Sequence, residues 1–270
     1  MRLINRSPSR PVAILLAVLP FAAVAVVYAI ASDLRLTANP ADRLLPAPAT
    51  IADTALRLFT QADRRTGEIL LWRDTAASLG RLLGGVGIAA AVALVLGMAI
   101  GLVPFVRRLL SGFVAVVSMV PPLALLPILF IVFGLGETSK VVLIVVGITP
   151  FMTRDLAQTV LDIPREQLIK AQTLGASTGV IALCVALPQV LPRLIADIRL
   201  SLGSAWLFLI AAEAVASDVG LGYRIFLVRR YLAMDVILTY VAWITLLAFL
   251  LDIGLRTLAR RAFPWKDAGL

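Results

Sequence analysis

Six apolar stretches of spanning length make this chain an all-α, polytopic membrane protein. Three observations carry that reading. Of its 270 residues, 60% are hydrophobic and 15% charged, against about 45–50% and about 25% in ordinary soluble domains. The apolar residues gather in runs that match the roughly 20 helical residues a bilayer crossing needs. The formal charge is +9, with one Cys and no His. That count removes disulfide frameworks, imidazole metal sites and His-based proton transfer. In so hydrophobic a chain the basic excess reads as cytoplasmic loops beside anionic lipid, in preference to nucleic-acid binding. The composition also argues against a soluble enzyme and excludes a disordered chain.

Span 1 is read at residues 12–31, after Arg2, Arg6 and Arg10. Its length suits a crossing; the alternative, a cleaved signal, has a shorter apolar core and a small-residue cleavage site. Residues 32–75 balance acids against bases and form an outer segment. Within it Leu45, Pro46 and Pro48 mark a turn and a helix start, and Ile51, Ala55, Leu58 and Phe59 recur at helical spacing. They predict a short amphipathic helix outside the bilayer core. Span 2, residues 82–103, carries Gly84, Gly85, Gly87, Gly97 and Gly101, small enough for close helix approach. Span 3, residues 113–133, contains Pro121, Pro122 and Pro127. Span 4, residues 141–159, contains Pro150, with Arg154 and Asp155 near its end. Spans 5 and 6 are residues 194–216 and 234–255. The run 180–187 is too short to cross and is read as a packed or interfacial helix. The whole chain, residues 1–270, reads as one transmembrane domain.

Charge sets the orientation. With both termini cytoplasmic, almost all of the net +9 falls inside, in Arg10, Arg107, Arg108, Arg165, Lys170, Arg193, Arg260, Arg261, Lys266 and their neighbours. That matches the positive-inside rule.

Residues 161–193 form a cytoplasmic segment with readable local physics. Pro164 suits a helix start, where its missing N–H is not needed, and Glu166 favours the N-terminal turn. Leu168, Ala171 and Leu174 share one face. Gly175 fits a left-handed stop, and Ser177 or Thr178 caps the next helix. A short helix, a sharp turn and a second helix ending at Pro188 result. The first carries a small apolar knob rimmed by polar groups, a docking surface in kind.

These residues resemble the "EAA" loop of ABC-importer permeases, E-A-A-x-x-x-G followed by I-x-L-P. Gly175 stands at the glycine position, and Leu187 and Pro188 close the motif. The triplet falls on Ile169, Lys170 and Ala171, so only its last Ala is kept, with Glu166 one turn earlier. Further stretches are similar to the nitrate/sulfonate/taurine subgroup of that family. They include Leu45 to Pro48, Pro121 to Ile128, Phe133 to Lys140, Ala212 with Glu213, Gly220 to Tyr223, and Arg260 to Trp265. The resemblance implies a type I ABC-importer permease fold and a pair of permease subunits forming the pathway. It implies two cytoplasmic ATPases that bind ATP and Mg, and a solute-binding protein outside. The ATPases would receive Arg165, Glu166, Lys170, Ala171, Gln172, Thr173, Leu174, Gly175, Ala176 and Ser177. The solute would be a small anion or organic acid such as nitrate, a sulfonate, taurine, bicarbonate or an aromatic carboxylate. No G-x-x-x-x-G-K-[ST] phosphate loop occurs in this chain, so no cofactor is expected in it.

Pathway candidates come from polar or helix-breaking residues inside spans. Ser118, Met119, Pro121 and Pro122 border a break that either lines a cavity or is a static kink. Ser201, Ser204 and Trp206 are wall candidates, with interhelical glue as the other reading for Ser. Glu213 is an acid in an apolar stretch, a functional candidate by default; a gating or subunit contact, a solute contact and a plain helix-end charge stand as its three readings. Arg154 with Asp155 reads as a local ion pair, and Arg199 pairs with Asp197 or lipid. Cys184 reads as a buried thiol. Arg224, Arg229, Arg230 and Tyr231 read as interfacial, with contact to a binding protein as the other reading. No metal site and no catalytic residue is expected. Two rivals are kept: a stand-alone secondary transporter, which usually has more spans and often internal repeats, and a membrane enzyme, which needs a catalytic constellation within the spans and, with no His and one Cys, is left with carboxylate or Ser chemistry.

Overall fold

The computed structural model describes residues 8–40, 42–64 and 66–265, and these contain helices and no strand. Arg2, Arg6, Arg65, Lys266 and Asp267, counted in the charge balance, lie outside them. The contacts fall into two compact units, Met1–Gln61 with Val228–Val241, and Ala62–Leu227 with Ala242–Leu270.

In the smaller unit, α1 (Arg10–Ala38) follows an extended Ser9 and has Pro at its start. It runs past the expected 12–31, because nothing in its sequence stops a helix before Asn39. Ser32 is its one buried residue. The Ser32 hydroxyl lies 3.0 and 3.1 Å from the Leu45 and Pro46 carbonyls, and Tyr28 donates to Pro46 at 2.8 Å. The turn that sequence places at Leu45 to Pro48 is thus pinned to α1. α2 (Pro48–Thr60) is the expected amphipathic helix, and its buried Thr54 donates to Asp235 at 2.8 Å. Asp42 accepts from the Leu44 amide and from Arg35, which hold its carboxyl below the usual range.

The larger unit is built on α3 (Leu70–Leu102) and α6 (Glu137–Leu161). Gly85, Ala89, Ala93, Gly97 and Gly101 form a buried ridge of small residues at four-residue steps. Ile144, Ile148, Met152, Leu156 and Val160 form a buried ridge of large ones at the same step on α6. Gly85 faces Ile144, Gly97 faces Leu156 and Gly101 faces Val160. The contacts advance in the same direction on both helices, so α3 and α6 run parallel. Small against large brings the axes close and gains dispersion contacts, the principal attraction between helices in lipid. Gly84 and Gly87 lie off this ridge and touch nothing nearby.

Parallel α3 and α6 require the chain between them to return. It does so through α4 (Pro104–Val117), a 3-10 turn (Pro122–Leu125) and α5 (Leu126–Phe133), bent by 84°. Span 3 is therefore a broken pair and not one helix. Pro121 and Pro122 both lack an N–H and cannot continue α4. Among the described residues, five helices are long and apolar enough to cross a membrane, and six with this pair.

After α6 come α7 (Arg165–Thr173) and α8 (Thr178–Val180). A π-helical stretch, Ile181–Ala186, then runs without a break into α9 (Leu187–Val215). The expected stop at Pro188 does not occur, and span 5 begins earlier than residue 194. Pro188 sits in the first turn of α9, and the widened π turn before it relieves the ring's clash with the preceding carbonyls. Cys184 in this stretch is exposed, not buried. α9 packs antiparallel on α6, with Phe208 over Gly147. α10 (Leu221–Arg229) and α11 (Met234–Ala262) complete the chain. Trp243 of α11 donates to Thr75 of α3 at 2.9 Å and packs edge-on against Trp72.

Two expected ion pairs are replaced. Asp155 pairs with Arg193 at 2.5 Å and not with Arg154, since neighbouring helical residues point about 100° apart. Arg199 pairs with Asp252 at 2.7 Å, and Asp197 with Arg193 at 3.2 Å; residues two apart on a helix do not face each other.

The ridge gives a direct test. Gly97→Ala places a Cβ 2.7 Å from Leu156 Cβ and is expected to destabilise by about 1–3 kcal/mol through overpacking. Gly84→Ala meets open space and is expected to be neutral. Thermal unfolding of the purified proteins in detergent reads the difference, and equal midpoints would remove the ridge from its central role.

Candidate functional site

The helix α7 stands at the end of α6. Ile163 is buried beneath it, and Pro164 occupies its N-cap, one position earlier than a first-turn proline. At its other end Gly175 donates to the Gln172 carbonyl at 2.9 Å and Ala176 to the Ala171 carbonyl at 3.0 Å. These two bonds with Gly175 at φ +80° form a Schellman stop. The Ser177 hydroxyl accepts from the Val180 amide at 3.4 Å and caps the next helix. Both ends of α7 are thus fixed by local chemistry alone. Gln189 of α9 donates to Gln167 at 3.0 Å and ties the helix to the body of the unit.

The ten residues expected at this helix lie together. Arg165, Glu166, Lys170, Gln172, Thr173, Leu174, Gly175 and Ser177 are exposed, while Ala171 and Ala176 are half-buried. Leu174 is 88% exposed, with Ile169 and Val180 also open. An aliphatic tip ringed by Arg165, Lys170 and Gln172 is the expected knob. An open cleft of about 300 Å³ beside it is lined by Asp162, Pro164, Gln189, Pro192 and Trp265.

At the opposite end of α6, about 36 Å away at 1.5 Å per residue, lies a buried ionic cluster. Asp74, Ser78 and Arg81 share one face of α3. Arg81 is 4% exposed and donates to Glu213 at 2.6 Å, to the Val219 carbonyl at 2.8 Å and through two nitrogens to Glu137. Glu213 is 0% exposed and also accepts from Ser78 at 2.7 Å and from the Gly222 amide at 2.8 Å. Asp74 accepts from the Gly220 amide at 3.0 Å and from Arg224 at 2.8 Å. Lys140 donates to Glu137 at 3.0 Å. The acids Asp74, Glu137 and Glu213 are matched by Arg81, Lys140 and Arg224. A Cβ on Gly220 (φ +135°) would fall 2.5 Å from the Glu213 carboxylate. Only glycine lets the backbone come that near, which accounts for Gly220 in the Gly-Leu-Gly stretch.

The eight pathway candidates divide. Ser118, Met119, Pro121 and Pro122 lie together at the break between α4 and α5, with Met119 75% exposed. Ser201, Trp206 and Glu213 are enclosed between α9 and its neighbours and line no open surface of the chain. Ser204 bonds back to the Ser201 carbonyl at 3.0 Å. In α9, Gln189, Arg193, Asp197, Ser201 and Ser204 recur at helical steps and point to the side on which Asp197 and Ser201 are buried, while Trp206 and Glu213 fall off that line. Arg224 is not a free interfacial base, because Asp74 holds it. Sequence reasoning misses Asp74, Ser78 and Arg81, which lie ahead of the apolar run that begins at residue 82, and Glu137, which lies between the apolar runs of spans 3 and 4. The i, i+4, i+7 spacing of the first three, ahead of an apolar run, was the available signal. It also missed the link from Arg154, which donates to the Ser118 hydroxyl at 2.9 Å.

Residues 85–264 match the family described as "Binding-protein-dependent transport system inner membrane component". The chain belongs to that family. It is a multi-pass permease subunit of a binding-protein-dependent ABC importer. The taurine transport system permease protein TauC of Escherichia coli (strain K12) is 40% identical over 195 residues, 72% of this chain and 71% of that protein. The bicarbonate transport system permease protein CmpB of Synechocystis sp. is 29% identical over 197 residues, 72% and 70% of the two chains. Among solved structures, an inward-facing form of the MetNI methionine ABC transporter superposes with a TM-score of 0.63 at 22% identity. It covers 71% of this permease and 95% of that chain. The likeness shows the ABC-importer permease fold.

The cluster orders three substitutions. Arg81→Met leaves Glu213 buried without its cation and is expected to cost about 3–5 kcal/mol. Glu213→Gln costs less, because Arg81 keeps Glu137. Glu137→Gln, at a side chain 64% exposed, costs least. Folded yield and thermal midpoint in detergent are the readouts. Glu137→Gln as the most damaging of the three would contradict the assignment.

Proposed function

We propose that two copies of this permease form the pathway and two cytoplasmic ATPases drive it. A solute-binding protein outside delivers a small anion of the sulfonate, taurine or carboxylate kind. Both termini are then cytoplasmic, ATP and Mg are bound by the ATPases, and this chain does no chemistry of its own. The exposed tip of α7 carries the reading. A helix fixed at both ends, with an aliphatic side chain held out in solvent, suits a groove on a partner that moves. The short, capped helix transmits displacement rigidly, where a loose loop would absorb it. The solute class is supported by relatives named for taurine and bicarbonate transport. No observation favours a secondary transporter or a membrane enzyme.

Reconstitution tests the whole. Vesicles holding the permease with its ATPase and binding protein are expected to take up labelled taurine only with ATP. Uptake by the permease alone would sink the importer reading.

Gly175 tests the coupling helix. A β-branched residue at φ +80° is strained by about 1–3 kcal/mol, so Gly175→Val is expected to insert normally but retain the ATPase poorly. Gly175→Asn, which tolerates the left-handed region, is expected to stay near wild type. Co-purification of the ATPase measures both, and full assembly of the Val variant would remove α7 from the coupling role.

A further inference from the structure

We propose that Arg154, with the Ser118 hydroxyl, is where the anionic group of the solute touches the permease in transit. This rests on the reading of the chain as an importer of small anions. Arg154 lies two turns before the end of α6, about 10 Å inside it at 1.5 Å per residue. A charge within a span is costly, and it faces protein or a watery cavity.

Arg81 shows how this fold treats an arginine that serves only structure, since it is buried and saturated by two carboxylates. Arg154 is the opposite. It is exposed, and among the described residues its one partner is Ser118 at 2.9 Å. The neighbouring carboxylate of Asp155 is engaged by Arg193 through two hydrogen bonds of 2.5 and 2.8 Å. Most of the guanidinium's five N–H donors are left for another acceptor. The planar fork matches a sulfonate or carboxylate with two parallel bonds, which a lysine cannot do.

Two open clefts meet at Arg154. One of about 240 Å³ joins the polar groups of Arg107, Ser111, Arg154 and Gln158 to an apolar wall that includes Ile100, Val114 and Leu161. Another of about 390 Å³ is lined by Phe151, Arg154, Asp155 and Gln158. Arg154 is shared by both. Beside it the backbone leaves helical geometry between α4 and the 3-10 turn, with Met119 exposed. Irregular backbone at membrane depth is tolerated only inside protein or along water, and broken helices in transporters border the transported species.

The test uses the full transporter in membranes, with Cys184→Ser removing the native thiol and Ser118→Cys as reporter. Two membrane-impermeant methanethiosulfonates are compared, one carrying ethylsulfonate and one trimethylammonium. The anionic reagent is expected to react at least about tenfold faster, the size of a local field effect on association. Arg154→Gln is expected to abolish that preference and Arg154→Lys to keep it. No reaction with either reagent, equal rates with Arg154 in place, or a preference unchanged by Arg154→Gln overturns the proposal. A preference seen in zwitterionic membranes and lost when anionic lipid is added assigns Arg154 to a headgroup, and overturns it too. Labelling needs no ATP, so ATP-driven taurine uptake by membranes holding the unsubstituted permease reports separately on the importer reading.

Discussion

A guanidinium taken out of water demands carboxylates, and at Arg81 it obtains them from two other helices. Glu213 near the end of α9 and Glu137 at the start of α6 converge on it from α3. The Val219 carbonyl and the Gly222 amide are drawn into the same network. A buried pair of this kind adds little net stability over an apolar replacement, because desolvation offsets most of the attraction. Its consequence is positional. Misaligned packing of three smooth apolar helices would cost little by itself, but any slip that separates Arg81 from Glu213 leaves charge unpaired in a dry interior. The small-on-large ridge between α3 and α6 sets how near the helices come, and the cluster sets their register.

The two ends of α6 are built on opposite principles. At the first end, polar groups are saturated by partners from elsewhere in the chain, and the loop after α9 is held by glycine amides. At the second, α7 is stabilised almost wholly by its own caps and by Gln189, with its apolar tip in solvent. One end is satisfied within the subunit; the other holds its apolar tip in solvent. Under the proposed coupling, α6 is the rigid element that would carry a displacement of α7 towards the α4–α5 break and the cluster.

Much of this is legible in the sequence, for identifiable reasons. Capping and left-handed glycine are local, so Pro164, Gly175 and Ser177 announce α7 and its turn from sequence alone. Apolar length announces the spans, and the proline pair announces the break. What cannot be read is pairing. Arg154 and Asp155 are neighbours in sequence but point apart on the helix, and Asp155 finds Arg193 on α9 instead. On α9 the polar residues Gln189, Arg193, Asp197 and Ser201 recur every four residues and mark one edge, but Trp206 and Glu213 lie off that line, so periodicity does not reveal their enclosure. The π turn at Ile181–Ala186 has no local signature beyond the prolines after it, and it turns an expected stop into a continuous helix.

Arg81 and Arg154 also separate holding from passing. Arg81 commits four of its five N–H donors to two carboxylates and a carbonyl, and taking it from Glu213 would leave a buried charge unpaired. An exposed arginine with a single hydroxyl partner contributes on the order of 1 kcal/mol or less to an ion pair. By the relation of about 1.4 kcal/mol per tenfold, that changes an equilibrium by no more than a factor of several. A binding protein must hold its solute tightly to select it, but a pathway that did so would stall. A partly hydrated Arg154 is strong enough to orient an anion and weak enough to let it leave. The energy for direction then has to come from elsewhere, and under the proposed coupling it enters through α7, just beyond the end of the same span.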